Sequence, residues 1–346
     1  MEYIMSAMKR VGIEKIGFYA SSLALDVRDL AKARGKDPEK VVSDFLIERR
    51  SVLPPWEDVV TMGANAGLKI VDEKERNQIG LLAVGTESSV DFGKPVSTNI
   101  HRALKLGLNV RNFETKHACY SGVAALDTAV NWVASGLNHG KKALVVSTDF
   151  SRMHLGMKEE FILGAVSTAV LVSDNPLLVE LETFQKGTWT TDTYDTFRPS
   201  ARHEVGNNEV SLYSYLDALE GAYRQYLEYT EDDADFDTYF RFLVYHTPFA
   251  GMAFQAHRTL TNIFKPKPKA EVKADFERRV FPCLKYSRQV GGTYGSSNFA
   301  GLASILSGEE AFRTATGSVF SPTALVPLAS FIPAGSCPGP GTGCGR

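Results

Sequence analysis

The hydrophobic pattern of the first half alternates between short apolar runs and longer amphipathic stretches. The apolar runs predict strands at residues 16–20, 79–84, 110–114, 142–147, 165–172 and 177–183. Helical periodicity between them predicts helices at residues 26–33, 38–51, 61–71, 98–106 and 119–137. This alternation is typical of an α/β fold with a parallel or mixed sheet.

The second half repeats this pattern less regularly. It predicts a long helix at 210–229, a strand within 239–246 and a helix at 251–262. The polar stretch 188–208 is the longest irregular segment, and it is either a loop over a site or a solvated connector. Residues 320–346 are rich in Pro, Gly and Cys, and the prolines at 333, 338 and 340 would block a central strand.

Composition narrows the class of protein. The chain has 346 residues and a net charge of −2, which gives no indication of nucleic-acid or anionic-membrane binding. It contains no apolar window of about 18 residues, and its N-terminus lacks the features of a signal peptide. The first three of the four cysteines have no metal-binding spacing, and Cys337 and Cys344 lie in the Gly- and Pro-rich tail, so we expect a reduced cytoplasmic protein without a metal site.

Cys119 is the first candidate for chemistry, since it stands where a predicted strand passes into a helix. The positive end of a helix dipole would lower the pKa of its thiol and favour the nucleophilic thiolate. Ser121 and Gly122 are small enough for an acyl group to approach. The alternative is a buried structural cysteine.

Glu87 and His246 each follow an apolar run as well. Ligands and catalytic groups of α/β proteins gather at the carboxyl ends of strands, so we expect these two side chains and Cys119 to share one pocket. Taken singly, Glu87 could be a solvated loop residue and His246 a structural histidine.

Together these segments resemble the 3-hydroxy-3-methylglutaryl-CoA (HMG-CoA) synthase family of the thiolase superfamily. The resemblance runs from about Ile13 to about Gly308. The segments that carry it contain Glu87 with Asp-Phe-Gly-Lys at 91–94, Ala-Cys-Tyr-Ser-Gly at 118–122 and Tyr-His-Thr-Pro-Phe at 245–249, with weaker matches at 211–217 and 288–291.

The family resemblance implies a thiolase-like fold of two related α/β halves stacked in five αβαβα layers. Residues 1–175 would form the half with Glu87 and Cys119, and residues 176–346 the half with His246. Family members end in a final strand pair, so the Pro- and Gly-rich residues 320–346 would be an atypical end, either divergent, truncated or shifted in frame. The resemblance also implies a homodimer.

Residues 30–34, 90–98 and 119–122 resemble the polyketide β-branching branch most. Its enzymes take acetyl groups from a donor acyl carrier protein and add them to the β-ketone of a polyketide on an acceptor carrier protein. The substrates are phosphopantetheine thioesters, and no cofactor is bound permanently.

The resemblance also implies roles for individual residues. Cys119 would carry the acetyl group, Glu87 would remove a proton from its methyl group, and His246 would assist the developing alkoxide. The residues implied in substrate binding are Arg34, Ser214, Tyr294 and Ser297.

One position departs from the family pattern, because Gly292 stands where the family usually has an Asn that holds the thioester carbonyl. Tyr294, Asn298 or a backbone N–H would then have to replace that donor.

Two alternatives remain from the sequence. One is a mevalonate-type synthase that uses acetyl-CoA and acetoacetyl-CoA, and the other is a carrier-protein-binding homologue without turnover. A ketoacyl synthase III-like role fits less well, because decarboxylative condensation has no use for the Glu87 motif.

Overall fold

A mixed six-stranded sheet forms the centre of the computed structural model, which describes residues 10–151, 155–200, 203–230, 234–308 and 330–333. The first eight strands in chain order are β1 (Gly12–Ala20), β2 (Leu23–Asp26), β3 (Arg49–Val52), β4 (Ile79–Gly85), β5 (Arg111–Thr115), β6 (Lys142–Phe150), β7 (Ala165–Ser173) and β8 (Val179–Glu180). Of these, β2 and β3 are short and lie outside the sheet. The spatial order is β5-β4-β6-β7-β1-β8, and β2 pairs with β3 separately. Strand β4 is parallel to β5 and β6, whereas β7 is antiparallel to β6 and β1.

Helices cover both faces of this sheet. In chain order the helices are α1 (Val27–Ala33), α2 (Pro38–Phe45), α3 (Val59–Leu68), α4 (Glu73–Gln78), α5 (Val96–Ala103), α6 (Ser121–Ala134), α7 (Asn208–Tyr229), α8 (Met252–Phe264), α9 (Lys269–Arg279), α10 (Ser287–Val290) and α11 (Ser297–Gly308). None of the helices in the described ranges combines the length and the apolarity that a membrane span requires.

The period-2 geometry of the strands explains the two covered faces. Leu82 and Val84 pack with α3 and α5, while Leu81 and Ala83 pack with α6 and α11. Because β4, β6 and β7 are buried on both faces, they appear in the sequence as continuous apolar runs. The predicted α/β fold class is therefore confirmed.

The second half contributes mainly helices with a large aromatic core. Residues of α7, α8 and α9 pack around Tyr223, Phe236 and Phe240. The strand predicted within 239–246 is wrong, because residues 242–246 form no strand in the described structure. Phe242 to Tyr245 are nevertheless buried, so the apolar run reflects core packing rather than sheet pairing.

Three element boundaries differ from the prediction. The helix predicted at 38–51 ends at Phe45, where Leu46 adopts a left-handed conformation with φ of 54°, and the chain then enters β3. The helix predicted from Cys119 begins at Ser121. The polar stretch 188–208 contains three short strands, β9 (Thr188–Thr191), β10 (Thr196–Ser200) and β11 (His203–Gly206).

The unusual end of the chain lies mostly outside the described residues. Its described part is β12 (Ser330–Pro333), which pairs in parallel with β9 in a two-stranded sheet. Pro333 is the last residue of this strand, a position that a proline can occupy at a sheet edge.

Three glycines join the segments that carry the candidate residues. A Cβ atom on Gly122, in the first turn of α6, would lie 2.5 Å from the carbonyl oxygen of Gly295 and 2.8 Å from Ser147 Oγ. A Cβ atom on Gly85, at the end of β4, would lie 2.5 Å from the backbone nitrogen of Gly122. We call Gly85, Gly122 and Gly295 the glycine seam; it brings three backbones into direct contact.

This packing predicts that Gly122→Ala destabilises the protein although alanine favours helices. Overpacking costs about 1 to 3 kcal/mol, whereas alanine in a helix gains only about 1 kcal/mol over glycine. Denaturant unfolding measures the difference. Gly107→Ala is the control, because no atom lies within 4 Å of a Cβ placed there; equal stability of both variants would contradict the prediction.

Candidate active site

One cavity of about 590 Å³ brings together Glu87, Cys119 and His246. Glu87 follows the carboxyl end of β4, and Cys119 precedes the first turn of α6. His246 belongs to the extended segment 242–246. The three side chains that the sequence predicted to share a pocket therefore border the same space, which Tyr294 also borders.

The thiol of Cys119 lies in an acidic environment. Desolvation raises its pKa well above the ordinary value, and the negative charges of Glu87, Asp149 and Glu204 raise it further. The lowered pKa that the sequence led us to expect from the helix dipole is therefore wrong, because desolvation and these negative charges act in the opposite direction. The thiol is consequently protonated at neutral pH, and acyl transfer to it requires an acceptor for its proton.

A buried ion-pair cluster surrounds Glu87. Its Oε1 lies 3.2 Å from both Nε and Nη2 of Arg198. The same guanidinium reaches Glu204 Oε2 at 3.3 Å. The side chains of Glu87, Arg198 and Glu204 are only 8%, 12% and 8% exposed, so water screens these charges little.

Asp149, at the end of the adjacent strand β6, holds the backbone at Glu87. Its Oδ1 accepts hydrogen bonds from the backbone N–H of Glu87 and from the hydroxyls of Thr86 and Ser88, each at 2.9 Å. These bonds fix the turn that follows β4 and direct Glu87 into the cluster.

Burial shifts the titration of these carboxyl groups upward. Desolvation raises the pKa of Glu87 to about 8, although the charge of Arg198 opposes the shift. Desolvation likewise raises the pKa of Asp149 to about 6. Glu87 therefore holds a proton more readily than an exposed carboxyl group does.

His246 is held as a neutral imidazole. Burial lowers its pKa to about 4, and Asn298 makes a side-chain hydrogen bond to it. The hydroxyl of Ser297 lies 2.6 Å from His246 Nδ1 and also accepts the backbone N–H of Thr247 at 3.3 Å. Ser297 and Asn298 thus orient the ring at the start of α11.

Tyr294 closes the acidic side of the cavity. Its hydroxyl donates to Glu204 Oε1 at 3.1 Å, and the guanidinium of Arg198 lies 5.4 Å from the ring centroid. Its φ of 47° is uncommon for a large side chain, so the surrounding contacts hold a strained backbone here.

The other two predicted binding residues lie elsewhere. Arg34 forms a bidentate ion pair with Glu160, through contacts of 2.8 Å and 2.7 Å. The hydroxyl of Ser214 lies 3.2 Å from Thr193 Oγ1, whereas Ser211, one helical turn earlier, borders the cavity. Neither Arg34 nor Ser214 is among the described residues that border the cavity.

Sequence reasoning missed Arg198 and Glu204, which belong to the polar stretch 188–208. Strands β10 and β11 form a hairpin in which Phe197 pairs with Val205. Those two apolar side chains are 44% and 43% exposed, while the adjacent Arg198 and Glu204 are directed inward. This stretch borders the cavity, so of the two sequence interpretations the loop over a site is confirmed.

The backbone around Gly292 leaves no space for a side chain. Its N–H donates to the carbonyl of Ile162 at 2.6 Å, and its carbonyl accepts the N–H of Gly164 at 2.9 Å. A Cβ atom on Gly292 would lie 2.1 Å from the carbonyl oxygen of Pro248. An asparagine at this position would require a shift of the backbone.

Within the ranges that the structure describes, no three His, Cys, Asp or Glu side chains are grouped so that they could hold a metal ion.

Comparison with protein families identifies one match. The sequence profile described as "Hydroxymethylglutaryl-coenzyme A synthase N terminal" matches residues 7–175. The chain is 37% identical over 312 residues to the polyketide biosynthesis 3-hydroxy-3-methylglutaryl-ACP synthase PksG of Bacillus subtilis (strain 168), covering 86% of this chain and 74% of PksG. It is 31% identical over 298 residues to the hydroxymethylglutaryl-CoA synthase of Enterococcus faecalis, covering 86% and 75%.

The chain is also similar in fold and sequence to solved structures. The HMG synthase of the curacin biosynthetic pathway superposes with a TM-score of 0.82 at 38% identity, covering 86% of this chain and 73% of that one. That synthase has also been solved in complex with acetyl donor-ACP, where ACP denotes acyl carrier protein. MvaS in complex with 3-hydroxy-3-methylglutaryl coenzyme A superposes with a TM-score of 0.79 at 33% identity, covering 86% and 77%.

The raised pKa of Glu87 predicts a pH-dependent effect of Glu87→Gln on stability. A carboxyl whose pKa is raised on folding stabilises the protein fully below its unfolded pKa, and that contribution is lost as pH rises through the folded value of about 8. The melting temperature of the variant relative to wild type should therefore increase from pH 5 to pH 8, by at least ~2 °C.

Thermal unfolding at both pH values provides the measurement. Glu277→Gln, on the exposed surface of α9, is the control and should give the same difference at each pH. A pH-independent difference for Glu87→Gln would refute the assigned environment.

Proposed function

Because this chain belongs to the hydroxymethylglutaryl-CoA synthase family, we propose that it is a condensing acyltransferase of polyketide β-branching. It adds an acetyl-derived carbanion to the β-ketone of a polyketide intermediate bound to a carrier protein. The observation that carries this proposal is the single cavity bordered by Glu87, Cys119 and His246. The likeness to PksG and to the curacin HMG synthase supports the polyketide branch.

The first step exchanges one thioester for another. The sulfur of Cys119 forms a bond to the acetyl carbon, and the pantetheine sulfur leaves. The proton of the thiol is taken up by the departing thiolate. Since burial, together with nearby carboxylates, raises the pKa of Cys119, its proton must be lost in the course of attack rather than beforehand.

The second step forms the new carbon–carbon bond. Glu87 removes a proton from the methyl group of acetyl-Cys119, and the resulting enolate attacks the β-carbonyl of the acceptor. A pKa of about 8 makes Glu87 a stronger base than an exposed carboxylate, at the cost of a smaller ionised fraction at neutral pH. Neutral His246, oriented by Ser297, donates a hydrogen bond to the alkoxide that forms. The proton that Glu87 removed then passes to this oxygen, which gives the alcohol and restores the Glu87 carboxylate. Water then releases the product from Cys119.

The proposal treats residues 1–175 and 176–346 as the two halves of a thiolase-like architecture. Glu87 and Cys119 then come from one half and His246 from the other, and the site forms where the halves meet. The contact between Gly122 and Gly295 in the glycine seam supports this division. A homodimer in the cytoplasm remains a prediction from the sequence.

The proposed substrates are phosphopantetheine thioesters on a donor and an acceptor carrier protein, without a resident cofactor. Arg34 remains the candidate for contact with the donor, because Glu160, its partner, adjoins residues 157–159 at the cavity wall. Lys32 and Lys40 lie near Arg34 in the sequence and would add positive charge, but Lys32 pairs with Asp29 at 3.5 Å and Lys40 with Asp44 at 3.3 Å. Docking would therefore rely on few net positive charges.

A mevalonate-type synthase acting on CoA thioesters is the second candidate. The similarity to MvaS in complex with 3-hydroxy-3-methylglutaryl coenzyme A favours it. The two functions differ in whether the acetyl donor is carried by a protein or by CoA, and this difference can be measured directly.

We predict that Cys119 is the residue that becomes acetylated. Incubation with an acetyl thioester should add one acetyl mass to the wild type and none to Cys119→Ala. Glu87→Gln should still be acetylated but should fail to condense, because its role follows acylation. Intact-protein mass spectrometry and product analysis provide the measurements.

Cys283→Ala is the matched control, since that cysteine is buried in the core, and it should acetylate normally. An acetyl adduct that survives in Cys119→Ala would place the nucleophile elsewhere. A wild type that accepts no acetyl group from any donor would favour the non-catalytic carrier-binding homologue.

We also predict that acetyl transfer from a carrier protein is faster than from acetyl-CoA and weakens as salt increases. Contacts between exposed charges are screened over ~10 Å at 0.1 M salt. Arg34→Gln should slow transfer from the carrier protein more than transfer from acetyl-CoA. Arg224→Gln, on the surface of α7, is the control; equal, salt-insensitive rates with both donors would support the mevalonate-type function.

A further inference from the structure

We infer that Arg198 is a positioning residue for proton abstraction, which holds Oε1 of Glu87 so that Oε2 takes the proton from the acetyl methyl group. This role presupposes the proposed condensation. Through Arg198, the hairpin of β10 and β11 would orient the Glu87 carboxyl group and favour its ionised form.

The two oxygens of Glu87 have different surroundings. Oε1 faces two nitrogens of Arg198, both at 3.2 Å. Oε2 is buried and has no hydrogen-bond partner among the described residues. A buried carboxylate oxygen without a partner is costly, and a proton delivered by the substrate would remove that cost.

Arg198 is fixed independently of Glu87. Its Nη2 lies 3.3 Å from Glu204 Oε2 and 3.4 Å from the carbonyl oxygen of Phe150. Its guanidinium also lies over the ring of Tyr294, whose hydroxyl donates to Glu204. These contacts hold the guanidinium plane, so Arg198 can impose an orientation on the Glu87 carboxyl group.

The charges that face Glu87 set how readily it ionises. Asp149, before the turn, and Glu204, on the hairpin, are acidic and oppose ionisation, whereas Arg198 favours it. Glu87 also acts on the ionisable groups of Cys119 and Tyr294. Among the groups that act on Glu87, Arg198 supplies the positive charge, so its loss should raise the pKa of Glu87 further.

The proton balance involves Glu87 and the acetyl group alone. The methyl C–H bond breaks, an O–H bond forms at Oε2, and the electron pair enters the enolate. That pair then forms the bond to the acceptor carbonyl carbon. Arg198 neither gains nor loses a proton, so it affects the orientation and ionisation of Glu87 rather than the stoichiometry.

The test measures exchange of the methyl protons of acetyl-Cys119 in deuterium oxide without an acceptor. This exchange reports proton abstraction alone, and mass spectrometry follows it on the intact acetylated protein across pH 5 to 10. In Arg198→Gln, acetylation should stay within a few-fold of wild type. Exchange at pH 7 should fall at least ~10-fold, and the midpoint of its pH profile should move upward.

Arg198→Lys separates charge from geometry. It restores a cation without the planar pair of nitrogens, so its pH midpoint should lie close to that of wild type while its rate stays reduced. Arg224→Gln is the control for removal of a surface arginine and should leave both quantities unchanged.

An unchanged pH midpoint in Arg198→Gln, with exchange reduced only as far as acetylation, would overturn the positioning role and indicate a structural one. A wild type that accepts no acetyl group would refute the proposed function instead. In that case the effect of Arg198 on the pKa of Glu87 is tested by melting temperature. The change that Glu87→Gln causes in melting temperature is measured against pH, once in wild type and once in the Arg198→Gln background. Its transition should shift to higher pH, and an unshifted transition would overturn the inference.

Discussion

Arg198 is a buried cation that faces three buried carboxyl groups, those of Glu87, Glu204 and Asp149. Removing several like charges from water is unfavourable, and one guanidinium compensates only part of it. The acidic groups respond with raised pKa values, to about 8 for Glu87 and about 6 for Asp149. Desolvation raises the pKa of the Cys119 thiol, and the same negative charges raise it further. The ionisation of Glu87 and of Cys119 therefore depends both on burial and on this charge imbalance, whereas the pKa of His246 is lowered by burial.

The fold makes such an imbalance possible by closing the site from several directions. The sheet supplies Asp149 and the turn with Glu87 at the ends of adjacent strands β6 and β4. The aromatic core beneath α7 and α8 holds Tyr215, whose hydroxyl donates to the carbonyl of His246 at 2.9 Å. The hairpin of β10 and β11, which borders the cavity, adds Arg198 and Glu204. Apolar packing thus stabilises an arrangement of charges that would be unfavourable by itself.

The sequence allowed those parts of the fold to be predicted that depend on local periodicity. Strands β4, β6 and β7 agree with the prediction, since burial on both faces leaves an apolar run of strand length. The same rule failed at residues 242–246, because an apolar run reveals burial but not whether a strand partner exists.

Electrostatic features were harder to predict, since they arise between residues distant in the chain. The helix-dipole argument for Cys119 used only its neighbours, whereas the groups that raise its pKa stand at positions 87, 149 and 204. Arg198 and Glu204 lie in a segment whose composition is that of an ordinary polar loop. Their inward direction depends on the hairpin and on the cavity it covers.

The glycine seam and the hairpin of β10 and β11 differ in how freely their residues can be substituted. Gly85, Gly122 and Gly295 touch neighbouring backbone, so almost any substitution there displaces the turns beside Glu87 and Cys119. The hairpin covers the same cavity chiefly with side chains, and a Cβ atom on Gly206 would meet its nearest neighbour only at 3.8 Å. Selection for a bulkier acceptor would therefore draw its variants from hairpin positions other than Arg198 and Glu204, because those two side chains contact each other and Arg198 contacts Glu87. Variation confined to the remaining positions would diversify the range of acceptors and leave the reaction unchanged.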